Sequence, residues 1–401
     1  MKITLLTIGS KGDVRPFIAL GLGLKNAGSD ITVATNSSFE QEITNWGLRF
    51  IPLDTDSGEM ESASPDVRVL LDASWEAAQG ADAIVYHPRI LAGFHILDKL
   101  RIPGFVASPS PMLTPSSDYS NPALGGRQLG GFLNRLSYTI ARYASFPYAA
   151  VINKWRKDVL GLESRSRFAN DFVRDDGPIP ILYCYSPNVL PFPKSQPPEM
   201  VVTGYWFLNS LKEWSPPKDL VDFLDAGDPP VYIELEIASA KYPRKLMKTI
   251  LEAVEKAKHR AIIADGWDDL RASDLPASVF PAKSVPYDWL FPRVSTVIHS
   301  GRADILGQAL RAGRTNVVFP SSPEETFWGK TVENLGVGPN PIPQRSLTAS
   351  NFCNAILLGA TYEIMRRRSN EIGRTIFCEN GTGQAIDLIN SEIISRSFAR
   401  I

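Results

Sequence analysis

The sequence has few of the residues from which disulfide frameworks and zinc sites are built. Its 401 residues include only three cysteines and four histidines. An odd number of widely spaced cysteines excludes a disulfide framework and is typical of reduced thiols in a cytoplasm. The histidines show none of the paired spacing that zinc sites use. We therefore expect a cytoplasmic protein without a metal centre.

Long apolar runs and blocks of basic residues are also missing. No stretch approaches the roughly 20 apolar residues that a membrane-spanning helix needs, and the first residues lead directly into a strand instead of a signal peptide. The formal net charge of −1 argues against a surface that follows nucleic-acid phosphates. The sequence thus predicts no integral membrane segment and no nucleic-acid partner.

What the sequence does contain is a repeated alternation of short apolar runs and helical segments. Runs with strand character lie at 3–8, 31–34, 48–53, 83–86 and 104–107 in the first half, and at 231–235, 261–264 and 317–319 in the second. Strands that alternate with helices are typical of a parallel sheet with right-handed crossovers. We expect an α/β protein with two facing Rossmann-like domains and a cleft between them.

A cluster of proline motifs divides the two halves of the chain. These motifs fall within 191–230, and Pro-rich, extended sequence is typical of a domain linker. The sequence therefore predicts a first domain over 1–190 and a second domain over 231–401. The last helix is a candidate to cross back onto the first domain.

The segment 297–310 in the second half has the pattern of a buried strand, a polar turn and a helix. In an open α/β sheet, ligands bind at such turns, because the amides of a helix start hold phosphate groups. His299 and Arg302 are candidate cations beside Gly301 in this turn. Asp304 argues against phosphate binding at this turn, because its carboxylate already occupies the end of the helix dipole that favours a negative charge. The alternative is that Asp304 caps the helix.

A long stretch between 108 and 147 interrupts the alternation with proline, serine, glycine and scattered apolar residues. Above the strand ends of a parallel sheet, such a stretch is suited to form a wall for a lipophilic ligand. The candidate contacts are Met112, Leu113, Phe132 and Tyr138. The alternative is ordinary packing over the core, because aromatic side chains more often pack than bind.

Several short blocks resemble a known family in their order and spacing. The chain is similar to the UDP-sugar-dependent glycosyltransferases of the GT-B fold, in particular bacterial natural-product enzymes and sterol 3-beta-glucosyltransferases. The blocks lie at 9–17 (GSKGDVRPF), 32–35 (TVAT), 86–88 (YHP), 111–115 (PMLTP), 285–292 (VPYDWLFP) and 327–329 (FWG).

The resemblance implies a role for each domain. The N-terminal domain would hold a lipophilic acceptor and the C-terminal domain the nucleotide sugar, with Asp13 as the general base that accepts the proton of the acceptor hydroxyl. The positions that would bind the nucleotide sugar are His299, Gly301, Arg302, Tyr287 and Glu324. Asp13 also has an alternative role as the cap of the helix that follows it.

The chain departs from the family pattern in the loops that would contact the donor. Glu234 and Glu236 stand where the family has a glycine turn, and Glu324 and Glu325 stand where it has an Asp-Gln pair. A carboxylate about 5 Å from a phosphate charge costs about 3 kcal/mol at an effective dielectric near 20. These departures predict a degenerate donor site and loss of ordinary UDP-sugar transfer.

The functional hypothesis from the sequence is therefore acid/base chemistry without a sugar donor or a cofactor. The reaction would be cyclisation, dehydration or isomerisation of a lipophilic natural product or sterol-like molecule. Asp13 would be the base and Glu234, Glu236 or Glu325 the acid, because crowded carboxylates cannot all ionise. One alternative is an active, divergent UDP-sugar glycosyltransferase with a hydrophobic acceptor. Another is a non-catalytic partner protein, and a homo-oligomer is also left open.

Overall fold

The computed structural model of the protein describes residues 1–53, 67–193, 197–209, 214–235, 243–264 and 275–398. Two parallel sheets with flanking helices form the two Rossmann-like domains that the sequence predicts. The predicted fold class is therefore confirmed.

The strands of the first domain are β1 (Lys2–Leu6), β2 (Asp30–Thr35), β3 (Arg49–Pro52), β4 (Ala83–Tyr86), β5 (Gly104–Ser108), β6 (Val173–Arg174), β7 (Gly177–Pro178), β8 (Ile181–Tyr183) and β9 (Met200–Val202). Seven of them form a parallel sheet in the order β3-β2-β1-β4-β5-β8-β9, and β6 pairs with β7 separately as an antiparallel ribbon. The inner strand β1 is buried continuously from Ile3 to Leu6, including Thr4. Burial of successive residues is expected of a parallel strand covered on both faces.

The helices of the first half are α1 (Lys11–Asn26), α2 (Glu40–Asn45), α3 (Val67–Ala77), α4 (Gly93–Leu100), α5 (Gly131–Arg142) and α6 (Ala149–Trp155). Helix α1 buries Phe17, Leu20 and Leu24, which lie three and four residues apart and therefore share one helix face. Gly28, which has a φ of 91°, follows its end, as is common for a residue that must adopt a left-handed conformation. The chain enters α1 directly from β1, and this junction carries Asp13.

The strands of the second sheet are β10 (Val231–Glu234), β11 (Ala261–Ile263), β12 (Val279–Pro281), β13 (Thr296–His299) and β14 (Thr315–Val318). The remaining helices are α7 (Lys218–Asp225), α8 (Pro243–Ala257), α9 (Tyr287–Leu290), α10 (Ala303–Arg311), α11 (Pro323–Asn334), α12 (Ala349–Thr361), α13 (Glu363–Phe377) and α14 (Gly381–Phe398). The parallel strand order is β12-β11-β10-β13-β14. Because β10 and β13 are neighbours, Glu234 and His299 end adjacent strands in the same register.

The described parts of the Pro-rich segment 191–230 include one strand and one helix. Its strand β9 pairs with β8 and forms the edge of the first sheet, and its helix α7 leads into the second domain. A three-residue strand between prolines has too little periodicity to be detected in the sequence. Strand β9 is held in place by its backbone pairing with the edge of β8.

The last helix, α14, returns to the first domain. Ala385, Ile389 and Ile393 are buried in the same apolar cluster as Phe17 of α1. A side chain at Gly23 would collide with Ile386, so the glycine allows the two helices to approach closely. The division into 1–190 and 231–401 stays a prediction.

Three further observations apply to the part of the chain that is described. None of its helices combines the length and the apolar character that crossing a bilayer requires. Its His, Cys, Asp and Glu side chains form no group of three or more able to hold a metal ion. Cys184, Cys353 and Cys378 are all free thiols.

Candidate active site

The turn between β1 and α1 holds Asp13 in a fixed position. Asp13 lies at the third position of the helix, and its Oδ2 accepts hydrogen bonds from the backbone N–H of Ser10 at 2.9 Å and from its hydroxyl at 3.0 Å. Gly9 precedes this cap with a φ of 130°, and a side chain there would collide with the Asp13 carboxylate. The helix-capping role of Asp13 is therefore present, and it fixes the orientation of the carboxylate.

Two residues that follow β4 complete the surroundings of Asp13. Arg89 Nη1 donates to Oδ2 at 3.1 Å, and His87 Nε2 lies 3.5 Å from Oδ1. The pKa of His87 is lowered to about 4, mainly by burial and partly by Arg89, although Asp13 opposes the shift. His87 Nδ1 accepts the backbone N–H of Arg89, so the proton of the neutral ring is on Nε2, facing Asp13.

The turn between β13 and α10 is the counterpart in the second domain. Gly301 has a φ of 116°, and its N–H donates to His299 Nδ1 at 3.1 Å, while His299 Nε2 lies 3.0 Å from Asn316 Oδ1. Burial lowers the pKa of His299 to about 4. His299 is thus a neutral side chain that shapes the turn, and the expectation that it supplies a positive charge is wrong.

Arg302 is the cation at this turn, and two carboxylates already bind it. Its Nε and Nη2 donate to the two oxygens of Asp304 at 3.1 and 3.0 Å, and its Nη1 lies 3.3 Å from Glu234 Oε1. Burial alone would lower the pKa of Arg302, but Asp304 and Glu234 raise it well above its ordinary value. Arg302 is the N-cap residue of α10 and Asp304 lies in the first turn, so the prediction that Asp304 caps the helix is wrong.

Tyr287 belongs to the same group of side chains. Its hydroxyl donates to Glu234 Oε2 at 2.7 Å, and the Tyr232 hydroxyl donates to the same oxygen. The ring of Tyr287 stacks on Phe291 with centroids 4.7 Å apart, and the guanidinium of Arg15 lies 5.8 Å from the ring centroid. Glu234 therefore accepts two tyrosine hydroxyls and lies beside the Arg302 guanidinium at the centre of the group, while its role as an acid stays a prediction.

The two turns face each other across the domain boundary. A side chain on Gly12 would come within 2.9 Å of Asp304 Oδ1, so the start of α1 lies directly against the start of α10. Asp13 is the residue next to Gly12. The structure thus brings Asp13 to the boundary where Arg302, Asp304 and Glu234 meet it from the other domain.

A second contact between the domains joins Ser110 to α11. The Ser110 hydroxyl donates to Glu324 Oε1 and accepts a hydrogen bond from Trp328 Nε1 at 3.1 Å. Burial raises the pKa of Glu324, and the nearby charge of Asp13 raises it further. Glu324 is therefore the carboxyl group with a raised pKa that faces Asp13 across the cleft.

The other two residues predicted to act as acids are Glu325 and Glu236. Glu325 Oε2 accepts hydrogen bonds from the Ser321 N–H, the Ser321 hydroxyl and the Ser322 N–H, at 2.7, 2.7 and 3.0 Å. Glu325 is thus a buried capping residue of α11 that holds the turn before the helix, and its role as an acid stays a prediction. Glu236 lies outside the described residues.

The predicted lipophilic contacts are divided between two surfaces. Leu113 is half-buried and its N–H donates to the Tyr183 hydroxyl at 3.2 Å, while Asn121 donates to the Met112 carbonyl. Tyr138 is 4% exposed and packs in the same apolar cluster. Phe132 is 79% exposed and points away from this cluster, on the outer face of α5. The structure therefore groups Leu113 with Tyr138, ties Met112 to the same segment only through its backbone carbonyl, and places Phe132 elsewhere.

Sequence reasoning missed His87, Arg89, Ser110 and Trp328 as partners in the site. One signal was available for the first three, because each follows the end of a parallel strand, β4 or β5. The carboxyl ends of parallel strands meet at the edge where ligands bind. The pairing of Ser110 with Trp328 has no local signal, since it joins residues 218 positions apart.

A cleft of about 1130 Å³ lies between the two domains on the other side of α11, and neither Asp13, Arg302 nor Glu324 lines it. Its walls include Gly126 and Arg127 of the first domain, Ser321 and Ser322 before α11, and Arg345 further along the chain. Two Rossmann-like domains with such a cleft define the class of α/β proteins that bind ligands between their domains.

The chain is similar to known glycosyltransferases in part of its sequence and in its fold. A model of the Glycosyltransferase family 28 N-terminal domain matches residues 3–79. The sterol 3-beta-glucosyltransferases of Aspergillus clavatus and Aspergillus oryzae are 33% and 34% identical to the chain. These matches cover 98% and 100% of this chain but 30% and 31% of the relatives. The chain thus spans about a third of the length of the curated relatives it matches.

Solved structures agree with the fold. The glycotransferase of kitacinnamycin superposes with a TM-score of 0.72 at 15% identity, covering 98% of this chain and 99% of that one. The calicheamicin glycosyltransferase superposes with a TM-score of 0.70 at 16% identity, covering 98% of both chains. These superpositions show that the chain has the GT-B fold.

These findings overturn the main functional hypothesis from the sequence. The relatives are sterol 3-beta-glucosyltransferases and the structural neighbours are glycosyltransferases. They favour sugar transfer, which was the first alternative, over cyclisation, dehydration or isomerisation without a donor. The hypothesis was wrong because it gave each substituted carboxylate in the donor loops a full repulsive charge, whereas Arg302 neutralises part of that charge.

Proposed function

We propose that the chain is an enzyme that transfers a sugar from a nucleotide-activated donor to a hydroxyl group of a lipophilic, sterol-like acceptor. The observation that carries this proposal is the position of Asp13. Its carboxylate is buried at the domain boundary, is oriented by a helix cap and faces the strand ends of the other domain. The sterol 3-beta-glucosyltransferase relatives support the choice of acceptor class.

Asp13 is the general base of the proposed reaction. As the acceptor oxygen bonds to the anomeric carbon, its proton passes to Asp13, and the bond from that carbon to the diphosphate breaks. The nucleoside diphosphate leaves with the electron pair. Arg89 and Ser10 hold Oδ2 by hydrogen bonds, which leaves Oδ1, beside His87, as the oxygen that takes the proton.

On the donor side, Arg302 is the residue suited to the diphosphate. A buried guanidinium at a helix start favours an anion through its own charge and through the adjacent amides. Glu234 competes for this position because it is within ion-pair distance of the same guanidinium. Donor binding therefore requires the Glu234 carboxylate to move away from Arg302 or to be neutralised.

On the acceptor side, a continuous set of contacts leads from the site to the apolar cluster. Ser110 contacts Glu324, and the backbone N–H of Met112 donates to the Ser110 carbonyl at 2.8 Å. Beyond it lies Tyr138, whose buried hydroxyl makes no hydrogen bond within the described residues. A buried hydroxyl of this kind gains free energy from a polar group of a ligand. This supports an acceptor that is mainly apolar and carries a few oxygens.

The test is to incubate the purified chain with UDP-glucose and a panel of sterols, and to detect hexosylated sterol by mass spectrometry. We expect formation of a product one hexose heavier than the acceptor, together with release of UDP. A panel of nucleotide sugars with other bases and sugars extends the assay. Absence of product from every donor and acceptor pair, in a sample that is folded by circular dichroism, would reject the proposal.

A further inference from the structure

The cleft on the far side of α11 is separate from the candidate active site. Its volume is about 1130 Å³, and it lies among the loop 124–128 of the first domain and helices α8 and α11 of the second. Asp13, Arg302 and Glu324 do not line it. Ligand pockets in proteins have volumes of about 300 to 1000 Å³, so this cleft is large enough to hold a small molecule.

The wall that the first domain contributes packs closely against α11. A side chain on Gly126 would collide with the ring of Phe327, and the ring of Tyr119 lies 5.3 Å from the same ring. The carbonyl of Arg127 accepts the backbone N–H of Ser120 at 3.1 Å. The backbone of Arg127 is thus fixed at the domain boundary, while its exposed side chain lines the cleft.

The second domain contributes two further cations to the lining. Lys245 lies in the first turn of α8, and Arg345 lies in the short 3-10 helix Gln344–Ser346 that follows α11. The backbone N–H of Gln344 donates to the Pro320 carbonyl at 3.0 Å, which fixes this short helix beside the end of β14. Three separate segments of the chain therefore bring one exposed cation each to the same cleft.

The net charge of the lining is positive. It includes four basic side chains, Arg127, Lys245, Lys330 and Arg345, and one acidic side chain, Glu333. Lys330 Nζ donates to Glu333 Oε2 at 2.8 Å, so these two charges neutralise each other. In the described part of the chain, the other three cations have no acidic side chain within ion-pair distance. A cleft lined by charges of one sign concentrates ligands of the opposite sign.

A buried amide nitrogen at the cleft also lacks a partner. Gln344 lines the cleft, and its Nε2 is buried without a hydrogen-bond acceptor among the described residues. An unpaired buried donor costs free energy, which an acceptor oxygen of a ligand would recover. Like the three cations, this nitrogen can only donate. The lining therefore selects a ligand with several acceptor oxygens and negative charge.

We propose that this cleft is a second binding site of the protein, for a small molecule that carries several phosphate groups. A guanidinium forms paired hydrogen bonds with phosphate oxygens, and a lysine ammonium adds a compact charge. Arg127 belongs to the first domain and Lys245 and Arg345 to the second, so a polyphosphate bound to all three holds the domains together. This inference goes beyond the proposed function and does not depend on it, because neither Asp13 nor Arg302 lines the cleft.

The test is isothermal titration calorimetry of the full chain with inorganic tripolyphosphate, which has phosphate groups but no base or sugar. We expect saturable binding that weakens as salt is added, because the attraction between the charges is screened, and a higher melting temperature at saturation. The double variant Arg127→Gln, Arg345→Gln should bind at least tenfold more weakly. Both side chains are exposed, so the variant without ligand should keep the melting temperature of the parent.

The matched control is Arg49→Gln, Arg374→Gln, which removes the same two charges from exposed positions on β3 and α13. This variant should bind tripolyphosphate like the parent. Equal affinity of the two double variants would place the phosphates elsewhere, such as at Arg302, and would overturn the proposal, as would a parent that does not bind. Titration with ATP distinguishes the source of the phosphates. Loss of ATP binding in the first variant supports a nucleotide, and binding of tripolyphosphate alone supports a free polyphosphate.

Discussion

The turns β1–α1 and β13–α10 have the same construction but hold their carboxylates differently. Each has a glycine of positive φ, Gly9 or Gly301, and an aspartate in the first turn of the helix. Asp13 accepts hydrogen bonds mainly at one oxygen, and the guanidinium that reaches it, Arg89, is 52% exposed. Asp304 instead has both oxygens bound by the neighbouring Arg302.

The two turns differ in how much carboxylate charge is left without a cationic partner. At the first turn, one carboxylate oxygen can still accept a proton, whereas at the second turn Arg302 and Asp304 neutralise each other and Glu234 adds a further negative charge. Two turns built on the same strand-turn-helix frame can therefore carry different chemistry. The partners that reach each turn from elsewhere in the chain decide it.

The largest effect is expected at the first turn. Asp13→Asn should lower kcat for sugar transfer by about 10²- to 10⁴-fold, because a general base is worth that much. Asparagine still caps a helix, so the fold should be kept. Steady-state assays on the substrate pair found in the product screen measure the effect. Asp158→Asn, at an exposed position, is the control, and an Asp13→Asn rate within threefold of the parent would remove Asp13 from the mechanism.

The second turn has a pH dependence that can be tested through His299. Its pKa is about 4 in the folded protein against an ordinary value of 6.5, so the unfolded chain takes up a proton first as the pH falls. The contribution of the neutral His299 ring to the free energy of unfolding is complete above pH 6.5. About 3 kcal/mol of it is lost as the pH falls to 4. Denaturant unfolding of His299→Gln across this range should show a correspondingly smaller decrease.

His87 and His95 contribute in the same direction, because burial lowers the pKa of each, to about 4 and about 3. The parent should therefore lose more stability between pH 6.5 and pH 4 than His299→Gln does. An identical slope in His299→Gln and the parent would show that His299 is not held neutral.

Removing the extra negative charge at the second turn should strengthen donor binding. In Glu234→Gln, the group of Glu234, Arg302 and Asp304 changes from a net charge of −1 to zero. A unit charge about 5 Å away is worth about 3 kcal/mol at an effective dielectric near 20. We expect UDP-glucose to bind at least tenfold more tightly, measured by isothermal titration calorimetry.

Tyr287→Phe is the matched control for Glu234→Gln, since it removes a hydrogen bond to Glu234 without changing the charge. It should alter the dissociation constant of UDP-glucose by less than Glu234→Gln does. Weaker donor binding in Glu234→Gln would contradict the idea that Glu234 competes with the diphosphate, and would make it a donor-binding residue.

The smallest effect concerns the contact between the two turns. Gly12→Ala places a methyl group 2.9 Å from Asp304 Oδ1, so we expect a loss of about 1 kcal/mol from overpacking at the domain boundary. Gly131→Ala is the matched control, because it also lies at a helix start but its methyl group would be 3.6 Å from the nearest atom. Chemical unfolding measures both variants. Equal stability of the two would mean that the turns do not press against each other.

Much of the fold could be predicted from local pattern. The strand expected at 83–86 is β4, and the strand expected at 231–235 is β10 with one residue fewer. Runs of apolar residues with strand character, punctuated by glycine and proline, carry this information within a few positions of sequence. The edge strand β9 was missed because three residues are too few to form a pattern.

Part of the site could also be predicted. Asp13 and Arg302 follow strand ends of a parallel sheet, and this topology alone brings them to the binding edge. The roles of Glu325 and His299 could not be predicted in the same way. A glutamate at the third position of a helix can cap that helix or face a ligand, and only the positions of Ser321 and Ser322 decide between the two.

Local sequence pattern is enough to predict an α/β protein with two Rossmann-like units, each with a glycine turn and an aspartate at corresponding places. The pairing of Asp13 with Arg89, 76 residues away, and of Glu234 with Arg302 follows only from the packing of distant elements. The exposure of the apolar side of α5 has the same origin. Periodicity records which side of an element is apolar, whereas charge pairing and burial depend on which other elements lie against that side.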